Sequence, residues 1–515
     1  MDLIIVGGTT ICLATIIVIL IAYYLFGKSA SLFKDKGIPY VPSVPLLGNL
    51  GPVVLRRIDM IELLCRIYNF NPDAKYIGFY SLTTPILMLR DPEIIKSVGV
   101  KNFDNFPNHR VDVSITHDPL VSKNLVMLKG QQWKDVRSLL SPSFTTSRIR
   151  AMYKLISQCS VNFVEFLQDL SPDERDLDIK DIFSRFTNDV IACCAFGIKV
   201  DSMRHPQNEF YITGKKSNLI DNITTIKFVF LSFFPKLASW LGIRMIDKNH
   251  ADFFKNVVAD IIDTRDKTGT SQPDMIQLMM DSRGNEINPN KDLTLDDMTS
   301  QAFIFFSAGF ETTAGTLCFV AHELAVNPEV QVQLQLEIDD VLRLTGDEVP
   351  YETINEMKYL DAVINETLRM YPVAFVTDRV CEKSFVLPPA LPGGEPVTIE
   401  PGMNVWFATY PIQRDPKYFE EPEKFLPERF LQEDRKNLNL GVFMPFGIGP
   451  RMCIGNRFAI LQMKVLLFHL LAKCNLKTCS KTGIPLKFSK SKPMYAEGGF
   501  WLKVEKRSDI MCLNK

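Results

Sequence analysis

"FGIGPRMCIG", Phe446–Gly455, places Cys453 in a glycine-studded loop, two residues after Arg451 and just ahead of the apolar run "FAILQMKVLLFHLL". A lone cysteine is usually a small buried hydrophobe, and glycines beside it usually mark a turn. Several functional patterns are missing from the loop. Gly447 and Gly449 are followed by Met452 where a dinucleotide fingerprint needs its third glycine, and no Lys-Ser or Lys-Thr follows as in a phosphate-binding loop. A nucleophilic cysteine wants a nearby base, but the nearest histidine, His469, comes late in the following helix. A metal-bound thiolate fits better. The helix after Cys453 would turn its unpaired N–H groups and positive dipole end toward the sulfur. Gly447, Gly449 and Gly455 allow tight turns that leave one face open to a flat macrocycle, and Arg451 can pair with a carboxylate on its rim.

The rest of the chain sets bounds on that reading. Its 515 residues allow a large core, and a formal net charge of −1 gives no overall field that would argue for nucleic acid. The 11 cysteines form no CxxC pair, which suggests a reducing compartment, and their scatter argues against a tetrahedral zinc site. From Leu3 to Phe26 there are 24 residues without a charge. As a helix they would reach about 36 Å, enough for a hydrocarbon core of about 30 Å. Lys28, Lys34 and Lys36 follow, so the remainder is expected on the cytosolic side. We therefore divide the chain into a transmembrane signal-anchor (1–27), a basic, proline-rich hinge around "GIPYVPSVPLLGNL" (28–48) and one large catalytic body (49–515).

Within the body, helix-period segments outnumber alternating ones, so the predicted class is mainly α with a small β region. Strand-like runs fall at 76–90 and 384–410. Met298–Val326 is apolar on nearly every side and preceded by a capping box, Thr294 with Asp297. With Glu311 at its middle it is expected in the core rather than in lipid, where a charge would cost ~2.5–3.5 kcal/mol.

Phe446-x-x-Gly449-x-Arg451-x-Cys453-x-Gly455 matches the haem-binding signature of the cytochrome P-450 monooxygenases, and the chain resembles that family from the anchor to roughly the C-terminus. The resemblance implies the cytochrome P-450 fold, an α+β structure, and haem b held by Cys453 as axial thiolate. Glu366 and Arg369 of "ETLR" could by spacing be a surface ion pair. The resemblance makes them, with Arg429 of "FLPERF", a buried triad. Trp133 and Arg137, four apart, could stack as a cation–π pair. The resemblance implies that they contact a haem carboxylate, with Arg379 and Arg451 as companions. In "AGFETT" it makes Glu311 and Thr312 the acid and alcohol that deliver protons. Gln413 stands where many relatives have histidine.

The same resemblance suggests a pocket wall of Phe303, Phe306, Ala308, Val373, Phe375 and Met494, although the helical aromatics could equally be core. It also implies partners: NADPH–cytochrome P-450 reductase, with cytochrome b5 as a second donor, since no flavin or nicotinamide fingerprint occurs in the chain. Arg457 and Lys464 are basic residues available for that docking. The apolar patch at 228–241 is expected to be core or to dip into the endoplasmic reticulum membrane. The nearest subgroup by texture is the insect xenobiotic-metabolising P-450s of families nine and six. The expected function is insertion of one atom of O2 into lipophilic molecules, xenobiotics or endogenous lipids. The rivals are a haem-thiolate isomerase or dehydratase, and a non-catalytic membrane-tethered haem protein. "NET" at Asn365 and "NIT" at Asn222 could accept sugar only if the body were lumenal.

Overall fold

The computed structural model describes residues 16, 32–45, 47–110, 118–217, 227, 230, 235–272, 274–282, 293–346, 348–431 and 440–507. The predicted anchor lies outside them apart from Ile16, as do Asn222 and residues 228–229 and 231–234 of the apolar patch. The chain separates into two compact units, each woven from distant segments.

The first unit gathers residues up to Arg110 with Ala374–Glu420 and Asn439–Met452. Its centre is a sheet of β1 (Tyr76–Ser81), β2 (Thr84–Leu89), β4 (Thr377–Val380) and β7 (Asn404–Phe407), in the order β1-β2-β7-β4. β1 and β2 pair antiparallel, β2 and β7 parallel, and β4 joins the far edge with Arg379 opposite Val405. A separate hairpin joins β5 (Phe385–Leu387) to β6 (Val397–Ile399). The alternating runs at 76–90 and 384–410 thus become strands because both their faces find apolar partners: Phe33, Tyr76, Phe79, Leu87, Val405 and Phe407 are fully enclosed. The proline-rich hinge lies along β1. Val41 N–H donates to Gly78 O at 2.9 Å and Gly78 N–H to Pro39 O at 2.8 Å, so prolines that cannot pair on one side still use their carbonyls on the other.

The second unit holds the long helices, among them α1 (Gly130–Leu140), α2 (Thr146–Asp169), α3 (Ile179–Ile191), α4 (Glu209–Lys216), α5 (Lys248–Thr268), α6 (Leu295–Val326), α7 (Lys358–Met370) and α8 (Asn456–Lys473). A sheet β3 (Asp176–Asp178), β9 (Trp501–Lys506), β8 (Cys474–Lys477) completes it. α6 is the axis. Its start is fixed by the predicted box, with Asp297 N–H donating to Thr294 Oγ1 at 3.2 Å and Thr294 N–H to Asp297 Oδ2 at 3.0 Å. Among the described residues it is the one helix long and apolar enough to cross a membrane, but α3, α5, α7 and α8 pack around it and most of its length is buried.

Asn365 is buried and donates to Asp361 O at 2.7 Å. Attaching a glycan there would require opening α7.

Candidate functional site

Cys453 stands three residues ahead of the first turn of α8, in the second unit. Its side chain is recessed yet accessible. Burial pushes the thiol up, while the Gly455 N–H donated to the sulfur and the charge of Arg137 on α1 pull it back. Arg137 is itself held below its usual value by burial, with Cys453 opposing that shift. A cation bound at the sulfur would complete the deprotonation, as metals do for coordinating thiols. Gly455 has φ −92° and would accept a Cβ with only ordinary contact, 3.6 Å from the Phe144 ring. Trp133 is buried on the same helix as Arg137.

The preceding part of the loop belongs to the first unit. Gly447 and Gly449 take φ of +78° and +72°, the left-handed region that side chains resist, and a Cβ on Gly449 would overlap the carbonyl oxygen of Gly99. Phe446, between Pro445 and Gly447, is half-buried. Gln413, fully buried, accepts the Met444 N–H at 2.9 Å and so pins the start of the loop. Arg451 donates to Pro107 O at 2.9 Å and Asn108 Oδ1 at 3.1 Å.

Arg379 tests whether these residues suit a haem. It is 1% exposed, donates to Asp378 O at 2.6 Å and Ile448 O at 3.4 Å, and its Nε has no hydrogen-bond partner among the described residues. Burial lowers the guanidinium to about 10, with the Asp378 charge opposing. The Asp378 carboxylate itself is engaged by His109 Nδ1 and the Arg110 N–H, each at 2.8 Å. A guanidinium stripped of water with one N–H unspent suits an anionic oxygen, such as a porphyrin carboxylate. Each unit fits the group on its own: in the first, Arg379 keeps an N–H for a carboxylate, and in the second, Cys453 offers an accessible sulfur.

In the second unit, α6 buries every face but one. Phe305, Ala308, Thr312 and Gly315 form a partly exposed stripe at helical spacing. Phe305 stacks on Phe144 with centroids 5.2 Å apart, and Val373 lies 4.0 Å from the position a Cβ on Gly315 would take. Thr312 Oγ1 donates back to Ala308 O at 2.6 Å. Glu311, next in sequence, faces another way: its Oε1 is 2.7 Å from Lys180 Nζ on α3.

Phe303 and Phe306 lie on the packed side. Phe306 stacks on Phe310 at 5.3 Å, and both Phe303 and Phe306 join Phe254 of α5 in an aromatic cluster, so their rings are core. Sequence reasoning missed Phe305 and Gly315, although the 305–308–312–315 spacing carried the signal. Met494 is buried at φ +57°, and Phe375 packs on the core of the first unit.

Glu366 and Arg369 are fully enclosed. Arg369 Nε and Nη2 reach the two carboxylate oxygens at 2.7 and 2.8 Å, and Arg429 Nε and the Leu426 N–H each reach Oε1 at 3.0 Å. Lys464 corrects the sequence-based docking surface. It is buried, donating to Asn355 O at 2.8 Å and pairing with Asp361 at 3.0 Å, because its position on α8 faces the bundle. Arg457 is exposed.

The family profile described as Cytochrome P450 matches residues 39–504. Among curated proteins, Cytochrome P450 9e2 of Blattella germanica is 42% identical, covering 96% of this chain and 97% of its own length. Probable cytochrome P450 9f2 of Drosophila melanogaster is 38% identical over 95% and 98%, and Cytochrome P450 6j1 of Blattella germanica 35% over 96% and 97%. These relatives are insect members of families nine and six, the group to which the sequence texture pointed. Because profile and relatives alike cover nearly all of the chain, it belongs to the cytochrome P450 family and is a haem-thiolate monooxygenase.

Proposed function

We propose that this monooxygenase inserts one oxygen atom of O2 into lipophilic small molecules, xenobiotics or endogenous lipids. We further propose that its electrons come from NADPH through a membrane-bound cytochrome P450 reductase, with cytochrome b5 as a second donor. In the same reading, residues 1–27 anchor it in the endoplasmic reticulum and the body is cytosolic. When bound, the haem supplies reductive activation of O2, and electron donation from the Cys453 thiolate favours O–O cleavage.

The chain's own residues take distinct parts. Arg137 and the Gly455 N–H stabilise charge on the sulfur, and Trp133, Arg379 and Arg451 are assigned to the haem carboxylates with Arg137. Phe446, Gly449 and Gly455 shape the loop, while the Glu366–Arg369–Arg429 triad braces α7. Thr312 holds a transferable proton at Oγ1 on the accessible stripe. Glu311, which the family resemblance assigns as the acid beside it, is held by Lys180 on α3 and would have to leave that pair to serve Thr312.

The observation that carries the substrate class is the α6 stripe. Phe305, Ala308 and Gly315, with Val373 beside them, offer apolar surface interrupted by one hydroxyl, which favours an apolar guest. The test is turnover of the enzyme reconstituted with reductase against a panel of lipophilic toxins and lipids, with products identified by mass. Products gaining one oxygen atom only in the presence of NADPH and reductase are expected. Reductant-free rearrangement of peroxides would instead establish the isomerase reading.

A further inference from the structure

The open stripe on α6 stops short. By helical spacing the position that continues it beyond Phe305, toward the start of the helix, is Gln301, yet Gln301 is 1% exposed. Segment 119–127 of the same unit covers it. Gln301 Nε2 donates to Lys123 O at 2.7 Å and its Oε1 accepts the Leu125 N–H at 3.0 Å, so one side-chain amide pairs with the loop backbone as a neighbouring strand would. Two flanking contacts seat the same loop. Ser300 Oγ donates to Leu120 O at 3.0 Å, and Lys123 Nζ pairs with Asp297 Oδ1 at 2.9 Å, one turn before Gln301 on the same face. The loop is also stiffened from within, since Asn124 Oδ1 accepts the Val126 and Met127 N–H groups, each at 3.0 Å.

We propose that Gln301 is a positioning residue for substrate: by holding segment 119–127 across the first turns of α6, it closes the stripe just before Phe305 and so limits the length of guest the enzyme accepts. The inference rests on the stripe being the substrate surface. The two Gln301 bonds lie on the line of the stripe. Without them the Lys123 carbonyl and the Leu125 N–H lose their partners, and a loop with unpaired backbone groups opens to regain water. Opening uncovers one more turn of α6, about 5.4 Å of surface. Gln301→Met removes both bonds at nearly constant side-chain length and makes that added turn apolar.

The test is binding of N-alkylimidazoles, from ethyl to dodecyl, to the full-length haem-loaded protein, read from the shift of the haem absorption band. In the parent, Kd should fall about fourfold per added methylene while the chain lies on the apolar stripe, then stop falling at a definite length, where the chain meets the loop. In Gln301→Met that break should come about two to four methylenes later, one helical turn being roughly four of them long. A merely structural role would weaken every member of the series alike and leave the break in place. Should Gln301→Met bind no haem, Asn124→Ala, which loosens the loop and leaves α6 untouched, must move the break in the same direction. A parent series that never breaks, or one that breaks at the same length in the variants, overturns this inference alone. A parent that gains nothing from any methylene overturns the apolar-substrate reading and this inference with it.

Discussion

Lys180 Nζ sits 2.7 Å from Glu311 Oε1, so the one carboxylate in the middle of α6 is paired to α3 rather than turned onto the stripe that carries Thr312. Both side chains are largely buried. Removing the cation in Lys180→Met takes this pairing away from the carboxylate, a change that costs up to ~3–5 kcal/mol in buried pairs. The expected result is a lowered thermal midpoint that the double variant Lys180→Met/Glu311→Gln largely restores, read as a double-mutant cycle. A Lys180→Met protein as stable as the parent would show the pair to be energetically idle.

Thr312 spends its hydroxyl proton on Ala308 O at rest. Rotating away from that bond exposes the proton on the accessible face, and no neighbouring alcohol lies on the stripe to replace it. Thr312→Ala should keep consuming NADPH while oxygenated product falls by at least about tenfold, the modest end of what proton relays contribute, with peroxide released instead. Thr312→Ser should retain most of the coupling. Product, NADPH and peroxide measured together decide the matter; unchanged coupling in the alanine variant removes Thr312 from the role.

Sequence reached the loop and the capping box because each is a local pattern, whereas the charged triad came from the family resemblance, since the Glu366–Arg369 spacing alone allows a surface ion pair. It could not reach Lys180, 131 residues from Glu311 in the chain, since nothing in either segment announces the other. The choice between core and pocket for Phe303 and Phe306 stayed open for a related reason. In "FIFFSAGF" every position is apolar or small, so hydrophobic periodicity cannot say which face of α6 meets α5 and which stays open. Only packing separates Phe305 from Phe306. Lys464 was misread because an isolated lysine on an apolar helix looks solvated until Asp361 and Asn355 close over it.

The triad makes a sharper demand. Glu366 accepts four hydrogen bonds with no exposed surface, so Arg369→Ala takes away two of them and one of its two cations, at a cost of roughly 3–5 kcal/mol. Protein made from that variant should contain little or no haem, measured as the ratio of haem to protein. Arg369→Lys should recover only part, because an ammonium cannot span both oxygens. A normal haem content in Arg369→Ala would contradict the argument.

Gly449 is constrained twice, by φ +72° and by the Gly99 carbonyl against any Cβ. The left-handed backbone alone costs ~1–2 kcal/mol for another residue, and the overlap adds to it by displacing Gly99. Gly449→Ala should therefore lower the urea midpoint, and weaken the strongly red-shifted absorption of the reduced, carbon-monoxide-treated protein. Gly483, with nothing near its Cβ position, is the control, and Gly483→Ala should change neither. Equal behaviour of the two variants would mean that the loop relaxes freely.

Two imidazoles, His322 buried and His469 half-buried, set a pH dependence. Burial holds His322 on α6 down to about 4, and burial with Lys473 does the same for His469, whose Nε2 meets Ser157 Oγ at 3.0 Å. In the unfolded chain both titrate near ~6.5. Above that value neither state binds the proton and nothing changes. As pH falls from about 6.5 toward about 4, the unfolded chain gains protons that the folded one refuses, so stability is lost across that window, up to ~3 kcal/mol for a fully buried group. Asp189, raised to about 6 by burial, acts in the opposite sense because its folded form takes the proton first. Comparison of variants isolates the imidazole. Urea midpoints between pH 7.5 and 4.5, roughly the range spanned by these groups, should fall less steeply for His322→Leu than for the parent chain. Parallel slopes would mean that His322 takes up its proton without unfolding.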